Sequence, residues 1–170
     1  MSTGVRYPIR TALRKPRRLR RRLVTVRLVQ ECTFAAPDGY PPAGARIRSP
    51  EEVFARMAPY VGRELAEAFW ILPLDSQSNV CVAGPVVITR GILNASLVHP
   101  REVFHAAIEA HAAGMILVHN HPSGDPTPSA EDRAVTRQLV EAGKLLDIPV
   151  YDHVIVGGSR HFSFADAGLM

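Results

Sequence analysis

At 170 residues, 46% of them hydrophobic, the chain has the length of one globular domain, or of one domain with a tail. No run of about 18 uncharged apolar residues exists, which excludes a transmembrane helix. Two cysteines, Cys32 and Cys81, exclude a disulfide framework. No apolar signal-peptide core follows the basic start, so the expected location is cytoplasmic, with both thiols reduced. The net charge of +4 conceals an asymmetry: residues 1–30 carry ten Arg/Lys and no acid, whereas residues 31–170 carry ten basic and sixteen acidic residues.

The expected organisation is therefore a basic, disordered arm and linker over residues 1–45, then a folded domain over 46–170. The centre of the arm, Arg14 to Arg22, holds seven cations in nine residues. Like charges at that density repel and resist burial. Residues 6–22 could bind nucleic acid or an anionic surface, serve as an organelle transit peptide, or remain a solvated terminus. Leu23–Val29 has strand composition, and the Pro- and Gly-rich stretch Ala35–Ala45 reads as a linker.

Ser49-Pro50-Glu51-Glu52 opens a helix with an N-cap, a proline at the first position and a capping-box glutamate. Val53, Phe54 and Met57 follow at helical spacing. Arg63–Ala68 predicts a short turn. Phe69–Leu74 predicts a strand in which Pro73 requires an edge or a bulge. Asp75–Asn79 reads as a hairpin-like turn, and Val80–Thr89 and Ile92–Val98 as further strands. A second helix is expected from Pro100 to about Ala112. The apolar run Met115–Val118 predicts a buried strand. A third helix spans Ala130 to about Leu146, and Val150–Val156 with Arg160–Phe164 close the chain as a hairpin. Strands alternating with single helices indicate an α/β domain with a mixed sheet.

Chemistry concentrates between His119 and Asp132. Side chains at i and i+2 leave a strand on one face, so His119 and His121 can reach one ion while Asn120 points away. Three prolines and a glycine then force a loop at the carboxyl end of the strand, where α/β sheets tend to place ligands. Ser129 is a good N-cap for the third helix, and Asp132 lies three residues on. Two neutral nitrogens and a carboxylate with water in the fourth position make a catalytic zinc arrangement; a structural site would fill all four. Ser129 and Asp132 could equally form only a helix cap. His153 could orient a metal ligand or be a structural histidine. Asp125 could be a ligand or a turn residue. His99, His105, His111 and His161 have no partner spacing.

The pattern His119-x-His121-x7-Ser129-x-x-Asp132 resembles the JAMM (MPN+) metalloprotease motif without a gap. With the segment His99–Phe104 before it and Asp152–Gly157 after it, the chain resembles the bacterial RadC family over residues 47–168. The resemblance implies a single mixed-sheet α/β domain of the JAB/MPN, cytidine-deaminase-like type with flanking helices. It implies one zinc ion per chain on His119, His121 and Asp132, with Ser129 donating to the developing oxyanion. It also implies a glutamate general base on an upstream helix, just before the first core strand. Glu67 fits that place; Glu64 is its neighbour and Glu102 its competitor. The implied activity is hydrolysis of a peptide or isopeptide bond in an unidentified protein or peptide. RadC proteins commonly carry an N-terminal helix-hairpin-helix-like region; here only the basic arm precedes the domain. No insertion matches the ubiquitin-clasping segments of eukaryotic relatives. Two other readings stand beside the hydrolase. One is a DNA-associated repair or mobile-element protein with a nucleolytic or vestigial metal site; the other is an inactive scaffold.

Overall fold

A computed structural model describes residues 44–91 and 98–170. The basic arm, the strand composition at Leu23–Val29, most of the linker and most of the strand expected at Ile92–Val98 lie outside the described residues. Among those residues the chain forms five strands and three helices.

The first helix, α1, spans Pro50–Val61 and is capped by Ser49, whose Oγ accepts from the Glu52 N–H at 3.4 Å. The expected box does not close on the cap itself. Glu52 accepts from the Arg48 N–H at 3.1 Å, one residue further back. Val53 and Met57 form its buried stripe.

Strand β1, Ala68–Leu74, is buried at all seven positions. Pro73 lies in this interior strand, not at a sheet edge. The paired part of β2 reaches only Ile71, so the missing N–H costs no ladder bond there; the Pro73 carbonyl accepts from the Cys81 N–H at 2.9 Å. The turn after β1 forms as expected, with Asp75 Oδ1 accepting from the N–H groups of Gln77 and Asn79. The strand expected over Val80–Thr89 is shorter. Residues 79 and 80 make only isolated bridges, and β2 proper is Val86–Arg90. Gly84 at φ +124° and Pro85 interrupt it, because neither the backbone turn nor a residue without an N–H continues a ladder.

Helix α2 spans Pro100–Glu109 and stops short of Ala112; His111 already sits at φ +53°. Its N-cap is His99, whose Nδ1 accepts from the Arg101 N–H. Strand β3 is Gly114–Asn120, α3 is Ala130–Leu146, β4 is Val150–Gly157 and β5 is Arg160–Ser163.

The sheet order is β2-β1-β3-β4-β5. Strands β3 and β4 are parallel and joined through α3; the other pairs are antiparallel. The sheet is therefore mixed, as expected. Its two faces carry separate cores. On one side α1 packs Val53 and Met57 against Trp70, Leu72, Ile116, Val118, Val154 and Val156. On the other, α2 and α3 bring Val103, Phe104, Val135 and Leu139 onto Phe69, Ile71, Met115 and Leu117. Covered on both faces, β3 is buried along its whole length, which explains its unbroken apolar run. Among the described residues no helix is long and apolar enough to cross a membrane.

Candidate metal centre

The alternation along β3 sorts its last residues between the two faces. Met115, Leu117 and His119 face α2 and α3, while Ile116, Val118 and Asn120 face the α1 side. His121 continues past the strand, its N–H donating to the Val156 carbonyl at 2.8 Å. The two imidazoles meet with their Nε2 atoms 2.9 Å apart. From the first turn of α3, Asp132 brings Oδ1 to 3.2 Å from His119 Nε2 and Oδ2 to 3.4 Å from His121 Nε2. Glu67 completes the group: one ligand atom from each of Glu67, His119, His121 and Asp132 lies within 4.8 Å of all the others.

Each member is held by a different part of the fold. The His121 Nδ1 donates to the Asp125 carbonyl at 2.7 Å, so in the neutral ring Nε2 is the nitrogen whose lone pair faces the group. His119 is 1% exposed, stacks on Phe69, and places its Nδ1 2.8 Å from Nε2 of His153. Asp132 is held by the cap of α3. Ser129 donates both its N–H and its hydroxyl to Asp132 Oδ2, and its Oγ accepts from the Asp132 N–H. Serine and aspartate thus form the capping box, and the same carboxylate joins the histidines. Glu67 sits in the bend between α1 and β1, not on a helix as the resemblance implied. Asn120 grips the chain on either side of it. Its Oδ1 accepts from the Ala68 N–H at 2.8 Å and its Nδ2 donates to the Ala66 carbonyl at 3.1 Å.

The charges respond to this crowding. Burial pushes the Asp132 carboxyl up, but the imidazoles of His119 and His121 outweigh it and hold the group well below the ordinary carboxylate range. The Asp132 carboxylate in turn raises His121 above the usual imidazole value, against partial burial. Complete burial drives His153 well below that value.

Glu102 is not part of the group; it pairs with Arg101 on an exposed part of α2, at 3.0 Å. Glu64 pairs with Arg90 at 3.2 Å. The Asp125 carboxylate does not join either. It accepts from the Thr127 N–H and hydroxyl in a turn, and only its main-chain carbonyl reaches the site. His161 stacks on Phe54, away from the group. Sequence reasoning missed Asn120 and Thr136, both buried polar residues. For Thr136 the available signal was its place one helical turn after Asp132.

The donor set suits a metal ion. Two imidazoles and a carboxylate are ligands of a borderline-soft cation such as zinc, and the orientation of His121 by a carbonyl on its far nitrogen is typical of metal-ligating histidines. A family model described as "RadC-like JAB domain" matches residues 47–169. The chain belongs to the RadC-like JAB domain family. Relatives each named "UPF0758 protein" include one from Methanosarcina acetivorans, 47% identical over 125 residues, covering 74% of this chain and 54% of that protein. Another, from Geotalea uraniireducens, is 48% identical over 125 residues with the same coverage. A third, from Symbiobacterium thermophilum, is 46% identical over 122 residues, covering 72% of this chain and 51% of that protein. This RadC-like chain spans about half the length of the curated relatives it matches.

Proposed function

We propose that this RadC-like domain is a zinc-dependent hydrolase of peptide or isopeptide bonds. The observation that carries the reading is the convergence of the Glu67, His119, His121 and Asp132 ligand atoms within 4.8 Å. His119, His121 and Asp132 would hold the ion, one per chain. Zinc in a site with three protein ligands supplies a Lewis acid and lowers the pKa of a bound water to about 7.

The protein's own groups do the rest. Glu67 accepts the proton of the attacking water and passes it to the leaving amine. The Ser129 hydroxyl, which faces Asp132, turns to donate to the oxygen of the carbonyl under attack. Asn120 keeps the Glu67 main chain in place by bonding to both of its neighbours. The test is metal analysis of protein purified without added metal, beside the double variant His119→Ala, His121→Ala. The expected result is one zinc per wild-type chain and none in the variant. Equal zinc in both would remove the site.

A second reading is favoured by the ten cations and no acid of residues 1–30. In it residues 6–22 bind nucleic acid through phosphate contacts. Affinity would then fall steeply with salt, and deleting residues 1–22 would abolish the dependence. Binding of DNA with no salt dependence would exclude it.

A further inference from the structure

Behind His119 lies a line of buried polar atoms that the hydrolytic reading does not use. His119 Nδ1 is 2.8 Å from His153 Nε2. On the far side of that ring, His153 Nδ1 is 2.7 Å from the Thr136 hydroxyl. The same hydroxyl lies 2.6 Å from the main-chain carbonyl of Asp132. His153 and Thr136 are both 0% exposed, and the His153 ring stacks on Phe164 at 4.9 Å and meets Phe69 at 5.5 Å. So apolar a setting disfavours a charged imidazolium.

The end of this line sets the direction of the whole. A carbonyl can only accept, so the single proton of the Thr136 hydroxyl goes to Asp132 O. The hydroxyl oxygen must then accept from His153, which places the one proton of that neutral ring on Nδ1. His153 Nε2 is left as an acceptor, and it can only accept from Nδ1–H of His119. With the His119 ring neutral, its Nε2 then carries the lone pair directed at His121 and Asp132. The reverse order would put two oxygens 2.6 Å apart with no proton between them.

We infer that Thr136 and His153 form a directional hydrogen-bond relay whose role is to hold His119 with Nε2 free to ligate a metal ion. They are positioning residues and do not reach the site themselves. The relay starts on the main chain of Asp132 and ends on His119, so it ties the ligand from α3 to the ligand from β3. This rests on the proposed metal centre for its purpose, although the direction of the relay does not.

The test uses the full-length protein and zinc alone, with Thr136→Val, Thr136→Ser and wild type. Valine keeps the volume and removes the hydroxyl. His153 then loses what holds its proton on Nδ1, and the opposite tautomer forces a proton onto His119 Nε2. Zinc affinity, by competition with a chelator, should fall about 10–100-fold, the usual loss when the group orienting a ligand is removed. Serine should restore it. In metal-free protein, ring nitrogen NMR shifts should show His153 protonated on Nδ1 in wild type and Thr136→Ser, and shifted toward Nε2 in Thr136→Val. Wild-type zinc affinity in Thr136→Val, or a wild-type His153 protonated on Nε2, would overturn the relay. If Thr136→Val does not fold, the wild-type shifts decide alone. If wild type binds no zinc while the shifts come out as expected, the metal centre fails and the relay's direction stands.

Discussion

His119 and His121 are two residues apart and nearly touch, yet the fold holds them in opposite ways. His119 is embedded in the core, packed on Phe69 and backed by His153. His121 is partly exposed and depends on a loop, through the Asp125 carbonyl. That loop is itself clamped. A Cβ on Gly157 would come within 2.6 Å of Pro126 N and 2.8 Å of the Asp125 carbonyl carbon, so β4 and the loop are in backbone contact. Arg160 also donates to the Gly124 carbonyl at 3.3 Å. One half of the site is thus fixed by burial, the other by backbone contact between β4 and the loop. Glu67 belongs to neither half; it is fixed from the α1 side of the sheet through Asn120.

The largest effect should come from that third anchor. Glu67→Gln keeps the volume and removes the proposed base, so zinc content and melting temperature should hold while turnover falls about 10²–10⁴-fold. Glu102→Gln should change little. A Glu67→Gln protein with wild-type turnover would end the assignment. Next come the two histidines, which the comparison separates. Both single alanine variants should lose zinc. Only His119→Ala should also destabilise the metal-free protein, by about 1–3 kcal/mol, since it leaves His153 Nε2 buried without its donor. Urea unfolding of the two metal-free variants measures this; equal stabilities would erase the distinction.

Gly157→Ala attacks the loop-held half alone. The added methyl meets backbone, which cannot swing aside as a side chain can. Unfolding should cost about 1–3 kcal/mol less, the range for overpacking, and zinc should bind more weakly because His121 moves with the loop. Unchanged zinc affinity would show that the Asp125 carbonyl does not govern His121. The smallest effect should follow loss of the arm. A chain beginning at Val24 should melt and bind zinc as wild type does, because charge at that density does not bury. A lowered melting temperature would show the arm packed on the domain.

Much of the local structure could be read from residue order. Ser129 at the start of α3, Pro50 and Ser49 at the start of α1, and the i, i+2 placement of His119 and His121 each follow from interactions within a few residues. The limits were also local. Gly84 and Pro85 break the strand expected from Val80, and His99 caps α2 with a ring nitrogen, a role that residue type does not announce. Glu67 could be reached only through resemblance, since it lies 52 residues before His119 and no spacing rule spans that distance. His153 and Asp125 could not be assigned from pattern, because a strand histidine and a turn aspartate look alike whether or not a site lies beside them.

By itself, then, the sequence determined the mixed α/β alternation, the pair of histidines at the end of a buried strand and the serine–aspartate cap that follows. These depend on backbone period and on hydrogen bonds between near neighbours. Only the tertiary structure decided that Asp132 turns to both histidines, that Asn120 holds the chain around Glu67, and that His153 stands behind His119. Those contacts need β1 antiparallel and β4 parallel to β3 in one register. Strand pairing of that kind is set by packing helices on both faces of the sheet, a property of the whole chain and not of any segment of it.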